Sequence, residues 1–360
     1  MKIDYIHFYV KDAIASCDWF VEALGFQVLA AGECDRTRTA VVKSGAIHIA
    51  LSSPLRSTSP VARYLDSHPP GIAEIAFEVS DLEAAIAKAV TGNAQVLQTV
   101  KSEISDRGAW KWAKIAAWGA LNHVLIERQG ETPILPGFPE LRLIDESASQ
   151  WGENCQFFTG IDHIVLNVAT GELEKALCWY EKVLGFVRQQ TFEIQTNRSA
   201  LSSQVMVHPV SSTQFPINEP ASANSQIQEF LDANRGPGIQ HIALQTPQII
   251  QAVAQLRQRG LSFLSIPQTY YTLLKQRFWE LHLSPTEFEE IAAREILVDW
   301  QEDSPQSLLL QIFTQPIFPE PTFFFELIER RQNAGGFGEG NFRALFEAIE
   351  REQVKRGSLP

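Results

Sequence analysis

The sequence predicts an α+β fold made by internal duplication, and three observations carry that prediction. Strand-like runs from the first half of the chain recur in the second, a helix with one apolar face follows them, and three separate stretches match in the same order. Three ordered matches make chance a poor explanation.

Taken in order, Ile3 to Val10 reads as a strand, and Ala13 to Leu24 as a helix with Trp19, Phe20, Ala23 and Leu24 at helical spacing, closed by Gly25. Trp19-Phe20 and Leu24-Gly25-Phe26 find counterparts 160 residues later in Trp179-Tyr180 and Leu184-Gly185-Phe186. Ile3-Asp4 finds its own 158 later in Ile161-Asp162. Gly71 to Phe77 matches Gly238 to Leu244, and Leu125-Ile126-Glu127-Arg128 matches Leu327-Ile328-Glu329-Arg330. Each half repeats again in miniature as strand, helix and further strands, a βαβββ module. Asp81 to Val90 and Pro247 to Arg259 are the second helices, with Asp81 as an N-cap.

The connections follow from breaker residues. Gln129 to Ser149 carries Thr132-Pro133, Leu135-Pro136-Gly137 and Phe138-Pro139 and reads as a linker. Asn218 to Ser225 reads as a loop, followed by a short helix to Asn234. Phe263 to Trp300 reads as a lid or insertion over one mouth. Gly335 to Gly340 is a glycine-rich loop, after which Asn341 is expected to cap a helix with Phe342, Leu345, Phe346 and Ile349 on one face. The expected divisions are an N-terminal domain at 1–130, a linker at 131–150, and a C-terminal catalytic domain at 151–360 with a closing helix at 341–356.

Composition sets limits. At 360 residues, 45% apolar and 20% charged, the chain can bury two ordinary cores, and a net charge of −12 argues against nucleic acid or an anionic membrane as partner. Cys17, Cys34, Cys155 and Cys178 have neither metal-type spacing nor the density of a disulfide framework. Met1-Lys2-Ile3-Asp4 already looks like a strand, no signal peptide is expected, and no uncharged run approaches the ~18 residues of a membrane span. A cytoplasmic enzyme is the expectation.

The chemistry is expected in three strands of the second half. His163 lies within Gly160-Ile161-Asp162-His163-Ile164-Val165-Leu166 and His241 within Gly238-Ile239-Gln240-His241-Ile242-Ala243-Leu244. Glu326 sits between Phe325 and Leu327, where an unpaired carboxylate would be costly. Two histidines and one carboxylate on three strands form the ligand set of a mononuclear non-haem Fe(II) site with open positions. Opposite His163 the first half has Tyr5, opposite His241 it has Glu74, and opposite Glu326 it has Val124, so only the second half can hold the metal. His7 reads as structural, on the face opposite Tyr5. His48, His68, His123, His208 and His282 have no partner pattern. The glycine-rich loop lacks a following Lys-Ser/Thr and is not a P-loop.

Beyond these readings, the second half, roughly 155 to 356, resembles the 4-hydroxyphenylpyruvate dioxygenase family of the vicinal-oxygen-chelate superfamily. The matching stretches are Asp162-His163, Ser225-Gln226-Ile227-Gln228, Gly238 to Leu244, Thr269-Tyr270-Tyr271, Leu309 to Thr314, Phe323 to Arg330 and Gly336 to Gln353. The first half resembles the family in architecture alone. The resemblance implies two open β-barrel domains of glyoxalase-like modules with a C-terminal gating helix, and Fe(II) on His163, His241 and Glu326. It further implies a substrate pocket of Ser203, Asn218, Gln226, Gln240, Gln311, Phe313, Phe324, Phe337, Asn341 and Phe342.

The reaction it implies takes 4-hydroxyphenylpyruvate and O2 to homogentisate and CO2, for tyrosine catabolism or quinone and tocopherol biosynthesis, in a homo-oligomer (dimer or tetramer). Three other readings stand beside it: 4-hydroxymandelate synthase, which shares ligands and substrate; an extradiol dioxygenase or glyoxalase, which lacks the closing loop and helix; and a non-enzymatic small-molecule-binding module.

Overall fold

The computed structural model describes residues 1–138, 140–144, 156–196, 198–211, 213–277, 283–301 and 304–359, so Cys155, His282 and parts of the expected linker and insertion lie outside the described residues. The first module is β1 (Lys2–Tyr9), α1 (Ala13–Leu24), β2 (Gln27–Glu33), β3 (Thr37–Ser44) and β4 (Ile47–Pro54). After α2 (Pro60–Ser67) the second comprises β5 (Gly71–Glu78), α3 (Leu82–Thr91), β6 (Val96–Ile104), β7 (Gly108–Ala116) and β8 (Asn122–Gly130), and β9 (Arg142–Leu143) follows. The third is β10 (Gly160–Asn167), α4 (Leu173–Leu184), β11 (Val187–Gln195), β12 (Ala200–Val207) and β13 (Gln214–Pro220), with α5 (Gln226–Asn234) after it. The fourth opens with β14 (Gly238–Gln245) and α6 (Ile249–Gln258), carries α7 (Gln268–Gln276) and α8 (Pro285–Ala293) as an insertion, and ends in β15 (Leu297–Gln301), β16 (Ser304–Phe313) and β17 (Phe324–Arg330). The terminal helix α9 spans Glu339–Arg356.

The two halves have one topology. Strands run β6-β7-β8-β5-β1-β4-β3-β2-β9 in the first sheet and β11-β12-β13-β10-β14-β17-β16-β15 in the second. In every module the first strand pairs in parallel with the last, and the two first strands of each half meet antiparallel at the centre. This is the α+β architecture of duplicated βαβββ modules that the repeat predicts.

Local chemistry starts the helices. Asp12 accepts from Ile14 N–H at 2.9 Å and Asp81 from Ala84 N–H at 2.9 Å, while Gly25 and Gly185, at φ 71° and 79°, end α1 and α4. Three modules add a device read from their last strand. Glu127, Glu219 and Glu329 accept from the first amides of α3, α4 and α6, the Leu82, Leu173 and Ile249 N–H groups, at 2.9, 2.9 and 2.7 Å. A carboxylate at a helix N-terminus satisfies an orphan donor and meets the positive end of the dipole.

Alternation along the strands decides what each face does. Phe8, Phe20, Phe77, Ile164, Ile242 and Phe325 are buried in a core shared by both halves, with Phe8 against Phe323 at 5.0 Å between ring centroids and Phe20 against Phe325 at 5.9 Å. Residues on the opposite face differ: Tyr5 belongs to a separate apolar cluster, and His163, His241 and Glu326 line a pocket. Among the described residues no helix is long and apolar enough to cross a membrane.

Several expectations need correction. His7 lies on the same side as Tyr5, its ring 6.3 Å away, because residues two apart in a strand share a face. Asn218 belongs to β13, paired between β12 and β10, so the expected loop begins only after Pro220. The described part of the expected linker is not a passive connection: Leu135 is buried against Tyr5, Trp110 and Trp112, with Ile134, Phe138 and Leu141 packed alongside. The described part of the insertion is not a loose lid either, for Tyr271, Leu274, Phe288 and Ile291 anchor α7 and α8 in the core. Finally, α9 begins two residues before Asn341, with Gly338 as its N-cap at φ 81°.

Candidate metal centre

Three strands of the second sheet bring one cluster together. His163 on β10, His241 on β14 and Glu326 on β17 are all buried and offer ligand atoms within 4.8 Å of one another. Glu326 Oε2 lies 3.2 Å from His163 Nε2 and 3.7 Å from His241 Nε2. The spacings follow from the register. His163 pairs with Ala243 across the central β10–β14 contact, and Ala243 pairs with Glu326 on the other side.

Each imidazole is turned by an oxygen behind it. His163 Nδ1 is 2.9 Å from Asp162 Oδ1, and His241 Nδ1 is 3.3 Å from Gln240 Oε1. An acceptor at Nδ1 keeps the proton there and leaves the Nε2 lone pair for a ligand. Asp162 is itself gripped by Arg330, whose Nε and Nη2 donate to its two oxygens at 2.7 and 2.8 Å. That guanidinium also donates to the carbonyls of Ala334 and Gly336 at 3.0 and 2.9 Å, tying the glycine-rich loop to the same clamp.

The electrostatics express one carboxylate shared by two rings. Burial disfavours the His163 imidazolium, but Glu326 and Asp162 outweigh it and raise the ring to about 9. His241 falls well below its ordinary value, through burial first and the neighbouring His163 second. Asp162 is depressed despite burial, because Arg330 and His163 donate to it. A divalent cation would satisfy two imidazole lone pairs and a carboxylate at once, and two nitrogens with one oxygen suit a first-row metal with open positions. The donor set fits such an ion.

The ligand atoms open onto a pocket of about 680 Å³ counted out to its mouth. Ser203, Asn218, Gln226, Gln240, Gln311, Phe313, Phe324, Phe337 and Phe342 all line it. Asn341 is the exception: its side chain turns away to Gln311 and Tyr270. Phe192, Leu201, Val205 and Phe346 also form the wall, and none of them stands out in the sequence as a pocket residue. Phe192 could have been found from the alternation of Phe192 and Ile194 on β11. Two polar details matter. Gln226 Oε1 is buried with no hydrogen-bond partner among the described residues, and Phe324 stacks on His241 with centroids 4.8 Å apart.

A second acidic group, Asp81, Glu83 and Glu127, lies on the other half and is largely exposed. Lys111 lies 2.9 Å from Glu83 and 3.8 Å from Glu127, which also caps α3. It is a surface charge network.

Fold and pocket together define a class, and comparison agrees with it: the model of the Glyoxalase/Bleomycin resistance protein/Dioxygenase superfamily matches residues 2–110 and 160–288. A 4-hydroxyphenylpyruvate dioxygenase of Yarrowia lipolytica is 39% identical, covering 99% of this chain and 93% of the relative. One of Dictyostelium discoideum is 36% identical and covers 99% of each. Among solved structures, an engineered variant of 4-hydroxymandelate synthase from Streptomyces coelicolor superposes with a TM-score of 0.85 at 29% identity over 98% of both chains. The chain belongs to that superfamily and, within it, to the family of the 4-hydroxyphenylpyruvate dioxygenases.

Proposed function

We propose that this chain is an Fe(II)-dependent dioxygenase that converts 4-hydroxyphenylpyruvate and O2 to homogentisate and CO2, with oxidative decarboxylation, ring hydroxylation and side-chain migration. The observation that carries the reading is the His163–His241–Glu326 cluster opening onto an aromatic-walled pocket that also holds an unpaired Gln226 oxygen. The names of the relatives support it. Held by the three side chains, Fe(II) would supply open positions for the carboxylate and keto oxygens of a 2-keto acid and for O2, and with them the oxidising chemistry.

The rest is the protein's share. Asp162 and Gln240 hold both imidazoles with Nε2 toward the pocket. Phe313, Phe324, Phe337 and Phe342 wall the aromatic ring and exclude water. Gln226 Oε1 accepts the phenol proton, which satisfies a buried acceptor that otherwise costs about 1–3 kcal/mol. Ser203, Asn218 and the Gln240 amide nitrogen offer further polar contacts along the same wall. The terminal helix closes the pocket with Phe342 and Phe346.

A second reading, production of 4-hydroxymandelate, is favoured by the structural likeness to the Streptomyces synthase. Product analysis separates the two. Purified protein is given Fe(II), O2 and 4-hydroxyphenylpyruvate, and the isomeric products are resolved by chromatographic retention. Homogentisate is expected; 4-hydroxymandelate would replace the leading reading with the second.

A further inference from the structure

Glu326 turns Oε2 toward the two imidazoles, while Oε1 is held from behind by Gln311, whose Nε2 donates to it at 2.9 Å. The same nitrogen donates to the Phe337 carbonyl at 3.1 Å, and Gln311 Oε1 accepts from Asn341 Nδ2 at 2.9 Å. Asn341 Oδ1 lies 2.9 Å from the Tyr270 hydroxyl, which accepts from Val298 N–H at 2.9 Å and sits 3.0 Å from the Val298 carbonyl.

The chain of bonds has a direction fixed at its end. A carboxylate and a carbonyl can only accept, so Gln311 must present its NH2 to Glu326 and Phe337. Its oxygen then needs a donor, so Asn341 presents its own NH2, and the Asn341 oxygen in turn needs the Tyr270 proton. Gln311 and Asn341 are each 2% exposed, so neither amide oxygen has water to fall back on. Both side chains are thereby committed to protein partners, Gln311 even as it lines the pocket.

We propose that Tyr270 is a positioning residue: through Asn341 and Gln311 it makes the seating of the terminal helix and the aiming of the Glu326 carboxylate a single event. This rests on Glu326 being a metal ligand. The surroundings support it. Phe337 and Phe342 flank the joint and are pocket wall, so the same seating builds the wall. Gly338 packs so closely on Gln311 that an added Cβ would overlap its amide, and Asp299 on β15 accepts from Gly340 N–H at 3.1 Å. The insertion that carries Tyr270 is thus the fixed anchor, and α9 the part it holds. The plainer alternative is that the Tyr270 hydroxyl serves only the Val298 backbone and bears on stability alone.

The test uses Co(II) as probe and amide hydrogen exchange of the full chain as a second readout. Tyr270→Phe should speed exchange over residues 339–345 roughly tenfold in metal-free protein and weaken Co(II) binding roughly three- to tenfold. Asn341→Ala, which keeps Val298 N–H donating to the Tyr270 hydroxyl and frees that hydroxyl's proton for the Val298 carbonyl, should do the same, and the double variant should be no worse than the poorer single one. Tyr271→Phe, one residue along α7, which loses only a hydroxyl contact to Ile296 O, should move neither readout. Asn341→Ala decides the matter if Tyr270→Phe does not fold. Looser helices with wild-type Co(II) affinity would show that the two events are separate and overturn the proposal. So would effects in Tyr270→Phe that Asn341→Ala lacks. A wild-type chain that binds no Co(II), with His163→Ala making no difference, would overturn the ligand assignment and the proposal with it.

Discussion

The two halves share a fold but treat the concave face of the sheet in opposite ways. Register makes the comparison residue by residue: Tyr5 and His163 face Ala76 and Ala243, which pair with Val124 and Glu326. Two residues back on the same strands, Glu74 stands where the second half has His241. On the neighbouring strand Trp112 and Lys114 stand where it has Gln311 and Phe313. The first half fills its concavity with Tyr5, Trp110, Trp112 and Leu135, and pairs Glu74 with Lys114 and His7. The second keeps space in front of its polar groups. Even the clamp is shared: Arg128 grips Asp4 at 2.8 and 2.7 Å as Arg330 grips Asp162, and donates to the Ile134 carbonyl of the plugging segment as Arg330 does to the glycine-rich loop. The difference teaches that the clamp belongs to the scaffold, whereas the residue after the aspartate decides whether it does chemistry.

Breaking the trio should have the largest effect. Glu326→Ala is expected to weaken metal binding by more than about a hundredfold and abolish turnover, since outer partners alone are worth 10- to 100-fold. Val124→Ala at the equivalent position should cost only about 1–2 kcal/mol of stability in a urea titration, with metal binding intact.

Next comes Glu74. Burial alone would raise its carboxyl, but Lys114 and His7 outweigh it and hold it at about 2. Its folded value therefore lies below the unfolded value near 4.3, so its stabilisation is fully present above about pH 5 and is lost as pH falls toward 2. Glu74→Gln should be about 2–3 kcal/mol less stable than the parent at pH 7. That gap should narrow steadily between about pH 4 and pH 2, and a constant gap would refute the ion-pair account.

The smallest effect sharpens the comparison most. Asp162→Asn should weaken metal binding about 10- to 100-fold, because His163 loses its charged acceptor. Asp4→Asn, in the matching clamp, should leave metal affinity unchanged in the same titration.

Much of this was legible because the repeat supplies an internal reference. Matching Gly71–Phe77 to Gly238–Leu244 and Leu125–Arg128 to Leu327–Arg330 gives the same residue pairs as the strand register. Alternation then puts His163, His241 and Glu326 on one face. What escaped depends on contacts distant in sequence. Asp162 and Arg330 are 168 residues apart, and nothing in the local pattern of either strand announces the pair. The prolines of 132–139 mark a break in regular structure but are silent about Leu135 being buried. Asn341 carries the composition of a cap, yet a tertiary partner at Gln311 claims its amide and the helix starts earlier, at Glu339 behind the Gly338 cap. Local preference there yields to a buried hydrogen bond.

Metal stoichiometry on three purified chains shows whether the second half alone carries the metal. One Fe(II) is expected per wild-type chain, none in His163→Ala and one in Glu74→Gln. Two ions per chain, or binding that survives His163→Ala, would contradict that expectation.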